Sequence, residues 1–286
     1  MLFLLTRPLH FVWSGWPFYF LTYTANIVPW NVGPLTLHPF NINHFWSLQV
    51  EEQFYLVWPF LVYRFKRLQT LINFCLLTCL AILTLRIVLV ALRPHLNNLY
   101  LAYSPTFSCA DNLLFGCSLC ILLRTSARQR LLALAPRILA ICATILLLTG
   151  LRYHGLVWET NFFVPTFGFT LVAISCAALI AMALRPGSKT QQLFANRTLR
   201  FFGKYSYGIY VFHYSLDTML TSPTRLYVGT HLHSKALGVV AGACVVMAAT
   251  IPVALLSYHV YESRFLGLKR YFSYNKKEAT TPLQAT

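Results

Sequence analysis

Long apolar stretches, each close to the length that crosses a bilayer, dominate the chain. A membrane-spanning helix needs about 20 mostly apolar residues. Seven stretches approach this length: 46–63, 69–91, 103–123, 135–151, 163–184, 204–222 and 236–261. An eighth, 9–28, is interrupted by Ser14, Gly15, Pro17 and Asn26, so it either spans the membrane, lies at its interface or packs as a re-entrant piece. The pattern predicts an all-α polytopic membrane protein with 7–8 transmembrane helices in one bundle.

Composition supports this class. Of 286 residues, 57% are hydrophobic and 10% are charged, and the mean hydropathy is +0.58. Soluble domains carry about 25% charged residues, which excludes a soluble fold, a disordered chain and a coiled coil. Only seven residues are acidic. Because an acid inside a membrane span is costly, the acids are the first candidates for function.

The basic residues alternate between loops and predict the orientation. If the spans are correct, 17 of them lie on one side of the membrane and four on the other. The positive-inside rule assigns the richer side to the cytoplasm. We therefore expect a multi-pass protein of the plasma or inner membrane, with an integral-membrane domain over 1–272 and a cytoplasmic tail over 273–286. Orientation and contact with the lipid bilayer explain the net charge of +16, and no nucleic-acid site is predicted.

A polar stripe marks the segment that enters the membrane after residue 43. His44, Ser47, Glu51 and Tyr55 follow the spacing i, i+3, i+7 and i+11, which places them on one helical face. Glu52 lies about 100° away from that face. Two interpretations remain open. Glu51 either lines an outward-facing cavity or is an interfacial carboxylate within a belt of aromatic residues.

A second stripe lies on the predicted span 204–222. Ser206, Tyr210, His213 and Asp217 again share one face. With a rise of 1.5 Å per residue, His213 lies roughly 13 Å and Asp217 roughly 20 Å into the membrane from the cytoplasmic side. The stripe either lines a pocket or makes structural polar contacts with a neighbouring helix.

A third stripe, Ser108, Asp111 and Ser118, lies on the predicted span 103–123. A buried carboxylate must be protonated or paired. Arg86 is a basic residue inside the predicted span 69–91, near its outer end, and it either reaches the outer interface or pairs with an acid. Glu262, at the cytoplasmic edge, is expected to pair with Arg264 or another basic residue.

Similar predicted depths suggest that several of these groups meet. The hypothesis is one shared cavity in the outer half of the membrane, to which three helices contribute Glu51, Asp111, His213 and Asp217. No metal site is predicted, because His231-x-His233 has no cysteine or acid at a useful spacing.

Four segments resemble the membrane acyltransferase family 3, multi-span O-acyltransferases that modify cell-surface saccharides. The run Trp46-Ser-Leu-x-x-Glu-Glu-Gln-Phe-Tyr55 is similar to the central signature of that family. Asp111-x4-Gly116 is similar to its later acid-and-glycine segment, although Cys109 stands where the family usually has an arginine. Residues 202–213 resemble its late G-x-x-S-Y-x-x-Y-x-x-H helix, and 257–265 its closing S-x-x-x-x-E-x-x-F span. The order and spacing match from about residue 17 to 272.

The resemblance implies an O-acyltransferase. It implies a cytoplasmic acyl donor such as acetyl-CoA or another acyl-CoA, no bound cofactor, and a hydroxyl of an extracytoplasmic saccharide as the acceptor. Candidate catalytic residues are Glu51 and His213. Candidate substrate-binding residues come from the three stripes and the central signature: His44, Trp46, Ser47, Glu52, Tyr55, Asp111, Ser206, Tyr210 and Asp217.

One departure from the family concerns its first helix, which carries a histidine regarded as catalytic, spaced after an arginine. Arg7 and His10 are three residues apart and do not match that pattern. Either the sequence is a fragment or has a mis-called start, or the protein is inactive or works otherwise. We expect residues 1–286 expressed alone to be inactive. The alternatives are a truncated, catalytically silent relative of the family and a small-molecule transporter. The inverted repeats and matching broken helices that favour a transporter are not found.

Overall fold

The computed structural model describes residues 16–27, 36–37, 40–41, 43–92, 101–153, 155, 162–231 and 233–272. The chain divides into two compact units, residues 1–200 and 201–286. Within the described residues, secondary structure is helical apart from one antiparallel pair of two-residue strands, β1 (Thr36–Leu37) and β2 (Phe40–Asn41). The predicted class, an all-α membrane protein, is confirmed. The predicted tail, 273–286, lies outside the described residues, and its boundary stays a prediction.

The helices of the first unit whose bounds are described follow in chain order. They are α1 (Trp16–Leu21), α2 (Trp46–Arg64), α3 (Leu68–Leu92), α4 (Thr106–Cys109), α5 (Asp111–Leu122), α6 (Arg128–Arg152), α7 (Phe169–Ala183) and α8 (Lys189–Phe194). A 3-10 turn, Asn43–Phe45, leads into α2, and a π-helical turn, Val164–Gly168, leads into α7.

The second unit is a helical hairpin with a short extension. Its helices are α9 (Arg197–His231), which starts in the last residues of the first unit, α10 (Lys235–Ser257) and α11 (Ser263–Gly267). A π-helical turn, Tyr258–Glu262, joins α10 to α11, and a 3-10 turn, Leu268–Phe272, comes after α11.

Two apolar clusters hold the first unit together. The first joins α3 to α5 through the buried residues Leu71, Ile72, Cys75, Cys79, Ile82, Leu114 and Ile121. Phe54 and Trp58 of α2 pack against it. The second joins α5, α6 and α7 through Leu119, Ala135, Ala178 and Ala181. Because three of these four residues are alanines, the helix backbones can approach closely, as is common between membrane helices.

Four helical segments are long and apolar enough to cross a membrane: Leu68–Leu92, Arg128–Arg152, Val164–Ala183 and Lys235–Tyr271. They correspond to four of the predicted spans. The described parts of α2, α5 and α9 do not meet that standard of length and composition. The total of 7–8 transmembrane helices therefore stays a prediction.

The predicted span 103–123 is not one continuous helix. The stretch 103–123 is broken around Pro105, because proline has no N–H to donate and restricts the residue before it. The hydroxyl of Ser108 satisfies carbonyl oxygens there, at 2.6 Å from Leu101 and 2.9 Å from Pro105. In the candidate 9–28, the described helix ends at Leu21 and the chain turns over 22–27. Residues 9–15 and 28 lie outside the described residues, so the three alternatives for this segment stay predictions.

Glycine lets the two long helices of the second unit approach closely. A Cβ atom added at Gly208 of α9 would lie 3.2 Å from Ala254 of α10. One added at Gly238 of α10 would lie 2.8 Å from the carbonyl oxygen of Arg225 in α9, closer than real Cβ contacts. Gly242, one turn further along α10, faces Thr221. The spacing Gly238-x-x-x-Gly242 is the small-residue pattern typical of close membrane helix pairs.

Candidate functional site

The central signature forms the start of α2, and its residues divide between two sides of that helix. Gln49 and Val50 are buried against the rest of the first unit. Glu51 is half-buried and Glu52 is exposed, whereas Tyr55 is 57% exposed. Among the described residues, no hydrogen bond or ion pair reaches the Glu51 carboxylate. The acids therefore lie away from the most buried side of α2.

Three predicted substrate-binding residues, His44, Trp46 and Ser47, lie just before Glu51, at the start of α2. His44 belongs to the 3-10 turn, and its ring contacts Phe45 with centroids 4.6 Å apart. Trp46 and Ser47, both half-buried, are the first two residues of α2. The short turn and α2 thus bring His44, Trp46, Ser47 and Glu51 within two helical turns of one another. Their predicted contacts with a substrate stay predictions.

Two glutamines on the buried side of α2 were missed by the sequence reasoning. The backbone N–H of Asn26 donates to Gln49 Oε1 at 2.8 Å, and Gln53 Nε2 donates to Asn26 Oδ1 at 3.0 Å. Asn26 Nδ2 and Gln53 Oε1 both bind the hydroxyl of Thr106, and Ser104 Oγ donates to the carbonyl of Asn26 at 3.1 Å. This network fixes the start of α2 against the turn after α1 and the chain around Pro105. Two amides spaced i, i+4 were the available signal.

A buried ion pair joins three helices of the first unit. Arg86 of α3 donates to Asp111 of α5 through Nη2 and Oδ2, 2.6 Å apart, and through Nη1 and Oδ1, 3.4 Å apart. Both side chains are 0% exposed. Thr170 of α7 donates to Asp111 Oδ2 at 3.1 Å and accepts from Arg86 Nη2. Of the two alternatives for Arg86, pairing with an acid is the one observed.

Local sequence explains why Asp111 suits this position. Asp111 is the first residue of α5, because the chain breaks at Ala110. A carboxylate in the first turn of a helix is stabilised by the positive end of the helix dipole. The position corresponds to the acid of the resemblance, but its guanidinium partner comes from α3. Cys109 lies buried with its Sγ 3.2 Å from the carbonyl oxygen of Pro105. The structure leaves Asp111 no exposed surface, so its substrate contact stays a prediction.

Three aromatic rings connect the signature to this ion pair. The ring centroids of Trp46 and Tyr103 lie 4.6 Å apart, and those of Tyr103 and Phe169 lie 5.1 Å apart. The guanidinium carbon of Arg86 lies 5.9 Å from the centroid of Phe169, within cation–π range. All three rings are half-buried.

The second unit carries the predicted stripe around His213. The Nδ1 atom of His213 lies 2.7 Å from the carbonyl oxygen of Tyr210. Because a carbonyl only accepts, Nδ1 carries the proton, and Nε2 is the ring nitrogen that can take one up in a neutral imidazole. Asp217 accepts a hydrogen bond from Thr221, and Ser206 is exposed and bonds the carbonyl of Gly203 at 3.0 Å. The cavity predicted to combine these residues with Glu51 stays a prediction.

The expectation for Glu262 was wrong. Its Oε1 atom accepts a hydrogen bond from the hydroxyl of Ser257 at 3.1 Å, in the π-helical turn after α10. Within the described part of the chain, the only ion pair is that of Arg86 and Asp111. Arg264 is only two residues from Glu262, and side chains two apart on a helix do not face each other, whereas Ser257 lies about one π-helical turn before Glu262.

The fold and these clusters define a class: an all-α membrane protein of several apolar helices, with charged and amide groups buried between them. The chain matches the family model described as an acyltransferase domain over residues 2–259, and it belongs to this family of transferases that act on groups other than amino-acyl groups. The predicted resemblance to membrane acyltransferase family 3 is thereby confirmed.

Curated relatives support the same assignment. The chain is 31% identical to the peptidoglycan O-acetyltransferase OatA of Listeria monocytogenes, over 82% of this chain and 37% of that protein. It is 27% identical to the putative peptidoglycan O-acetyltransferase YrhL of Bacillus subtilis, over 78% of this chain and 34% of that protein. It is also 27% identical to the O-acetyltransferase OatA of Staphylococcus aureus, over 63% of this chain and 30% of that protein.

The match covers only part of each relative. The chain spans about a third of the length of the curated relatives that it matches. No solved structure is similar to it at the level of a significant match.

Proposed function

We propose that this protein is an integral-membrane O-acetyltransferase. It moves an acetyl group from a cytoplasmic acyl-CoA to a hydroxyl of an extracytoplasmic saccharide, with peptidoglycan as the acceptor. The observation that carries the proposal is the signature helix α2, Trp46 to Arg64, which lies inside the family match and presents Glu51 without a described partner. The names of the relatives, peptidoglycan O-acetyltransferases, support acetyl as the group and peptidoglycan as the acceptor.

The reaction sets the chemical requirements. The acceptor oxygen forms a C–O bond to the acyl carbon, the thioester C–S bond breaks, and the hydroxyl proton ends on the departing thiol. A base must take up that proton, and a carboxylate that orients and stabilises an imidazolium is a common solution. We assign Glu51 to such a carboxylate role, because its surroundings offer no competing partner among the described residues. His213, in the second unit, stays a separately predicted proton acceptor, and its Nδ1 atom lies against the Tyr210 carbonyl.

The donor phosphates would meet exposed basic residues. Arg64, at the end of α2, and Lys66 and Arg67, in the link to α3, are all exposed. Arg128 and Arg130, in the first turn of α6, are also exposed. Guanidinium groups form paired, charge-assisted hydrogen bonds with phosphate, which suits the anionic end of an acyl-CoA. The proposal assigns this end of the helices to the cytoplasm, together with the C-terminus.

A genetic experiment tests the function. Ester-linked acetate on purified peptidoglycan is measured in cells with the intact gene, without it, and with the gene restored. The proposal expects the acetate released by mild base to fall on deletion and to return on restoration. Equal acetate in all three strains, across several growth conditions, would count against it.

A further inference from the structure

Phe169 and Thr170, the first two residues of α7, contact different groups of the first unit. The hydroxyl of Thr170 binds Asp111 and Arg86, inside the buried ion pair. The ring of Phe169, one residue earlier, packs on Tyr103 with an interplanar angle of 45° and lies near the Arg86 guanidinium. A single dipeptide therefore links the buried charges to the aromatic rings that lead to Trp46.

The backbone before this dipeptide has an unusual geometry. Val164–Gly168 forms a π-helical turn that runs directly into α7. The hydroxyl of Thr166, 0% exposed, binds the carbonyl oxygen of Phe162 at 2.7 Å and stabilises the turn. A π turn is wider than an α turn, so it shifts the helical register of the residues after it, and such turns concentrate at functional sites. Here the shift determines which way Phe169 and Thr170 point.

The aromatic rings reach the first residue of the signature helix. Tyr103 lies between Phe169 and Trp46, and each ring pair is tilted, the favoured arrangement for aromatic contacts. The three rings come from three separate segments, so no single element holds them in place. Their arrangement depends on the contact between α3, α5 and α7 that the ion pair makes.

We propose that Trp46, Tyr103 and Phe169 form one wall of a saccharide subsite, and that Arg86, Asp111 and Thr170 are its positioning residues. The inference rests on the proposed function and adds residues to it. The apolar C–H face of a pyranose ring packs on aromatic rings, whereas Arg86 and Asp111 are fully enclosed and join the helices that carry the rings. Both charges are enclosed and share their hydrogen bonds with Thr170, so few positions of α7 satisfy these hydrogen bonds. Because Phe169 precedes Thr170 on α7, the same restriction fixes the position of its ring.

The test measures binding of a soluble muropeptide to the purified full chain by tryptophan fluorescence. Thr170→Val keeps the side-chain shape and removes the hydroxyl that binds the charged pair. We expect its Kd for the muropeptide to rise about tenfold, the scale of one lost hydrogen bond to a charged group. Thr84→Val is the matched control, because the exposed Thr84 only bonds the Leu80 carbonyl of its own helix, at 2.9 Å. Its Kd should equal that of the wild type.

A second variant covers the case in which Thr170→Val fails to fold. Phe169→Leu leaves the ion pair intact and removes one ring of the wall, so it should weaken binding by a similar factor. Trp46→Phe should remove the fluorescence change on binding. A merely structural ion pair would lower the folded yield of Thr170→Val while its folded fraction kept the wild-type Kd.

The contrary outcomes separate the two proposals. Wild-type Kd values in folded Thr170→Val and Phe169→Leu, or no binding by the wild type at millimolar muropeptide, would overturn the subsite. If binding agrees with these expectations but gene deletion leaves peptidoglycan acetate unchanged, the acetyl transfer is wrong and the saccharide subsite stands.

Discussion

Asp111 and Glu51 lie in the same helical unit, yet their surroundings differ in almost every respect. Asp111 is fully enclosed, and both its oxygens bind Arg86 at the junction of α3, α5 and α7. Glu51 is half-buried on α2, next to Glu52, and no described residue binds its carboxylate. A paired acid in a closed cluster contributes to the arrangement of helices. An unpaired acid at the edge of a helix bundle is available for a proton or a ligand.

An acid within a membrane helix can therefore have a structural role or a chemical one, and its position in the sequence does not show which. For Asp111 the charge is neutralised inside the protein, so its removal leaves an uncompensated buried arginine. For Glu51 nothing in the described structure depends on the charge. Substitution of Asp111 should therefore lower stability, whereas substitution of Glu51 should lower activity and leave stability nearly unchanged.

The largest expected effect is on stability at Asp111. Asp111→Leu leaves Arg86 buried without its counter-ion, which costs about 3–5 kcal/mol of folding free energy. We expect a sharp fall in the yield of monodisperse protein by size-exclusion chromatography in detergent, together with a lower melting temperature.

The double variant Arg86→Met, Asp111→Leu tests whether the instability of Asp111→Leu comes from the unpaired charge of Arg86. Replacing both charges with apolar side chains of similar size is often neutral or stabilising, so the folded yield should return towards that of the wild type. If the double variant is as unstable as Asp111→Leu, the loss does not come from an orphaned charge.

A smaller effect is expected in the amide network under α2. Gln49 is 2% exposed, and Gln49→Ala leaves the N–H of Asn26 without its acceptor, at a cost of about 1–3 kcal/mol. Gln69→Ala is the control, because the exposed Gln69 bonds only the side chain of Asn73 at 2.9 Å, and its change should stay within about 0.5 kcal/mol. Equal melting temperatures for the two variants would contradict the structural role of the network.

Glu262, in the second unit, should respond more weakly still. Glu262→Gln keeps an oxygen that accepts from Ser257, so the expected loss is about 0.5–1.5 kcal/mol. The measurable result is a modestly reduced folded yield with unchanged acetylation per folded molecule. A complete loss of acetylation at normal yield would place Glu262 in the chemistry instead.

Sequence patterns predicted the long apolar helices well. The stretch 69–91 became α3, Leu68–Leu92, and 163–184 became the π turn and α7, Val164 to Ala183, because hydrophobic length is a property of each segment alone. Pro105 is the sequence signal for the break in 103–123, whereas apolar length alone predicts one continuous span. Whether Arg86 paired with Asp111 depended on which helices are neighbours, and residues 25 positions apart carry no local signal of that.

The site was less predictable than the helices. The spacing of polar residues predicts a stripe of Ser47, Glu51 and Tyr55 on one face of α2. The buried polar contacts of α2 are instead made by Gln49 and Gln53. The π turn before Phe169 has no simple sequence signature, so the meeting of Phe169, Tyr103 and Trp46 was not anticipated. These contacts depend on tertiary packing, which the periodicity of one helix does not record.

The measurement that tests the account most directly is acetylation by Glu51→Gln. The exchange keeps the shape of the side chain and removes its charge, and folding free energy should change by no more than about 0.5 kcal/mol. Tyr63→Phe, at the other end of α2 and 87% exposed, is the matched control. At equal levels of membrane protein, we expect peptidoglycan ester acetate to fall to that of the deletion strain in Glu51→Gln and to stay at the wild-type value in Tyr63→Phe. Wild-type acetate in a well-folded Glu51→Gln would contradict the account.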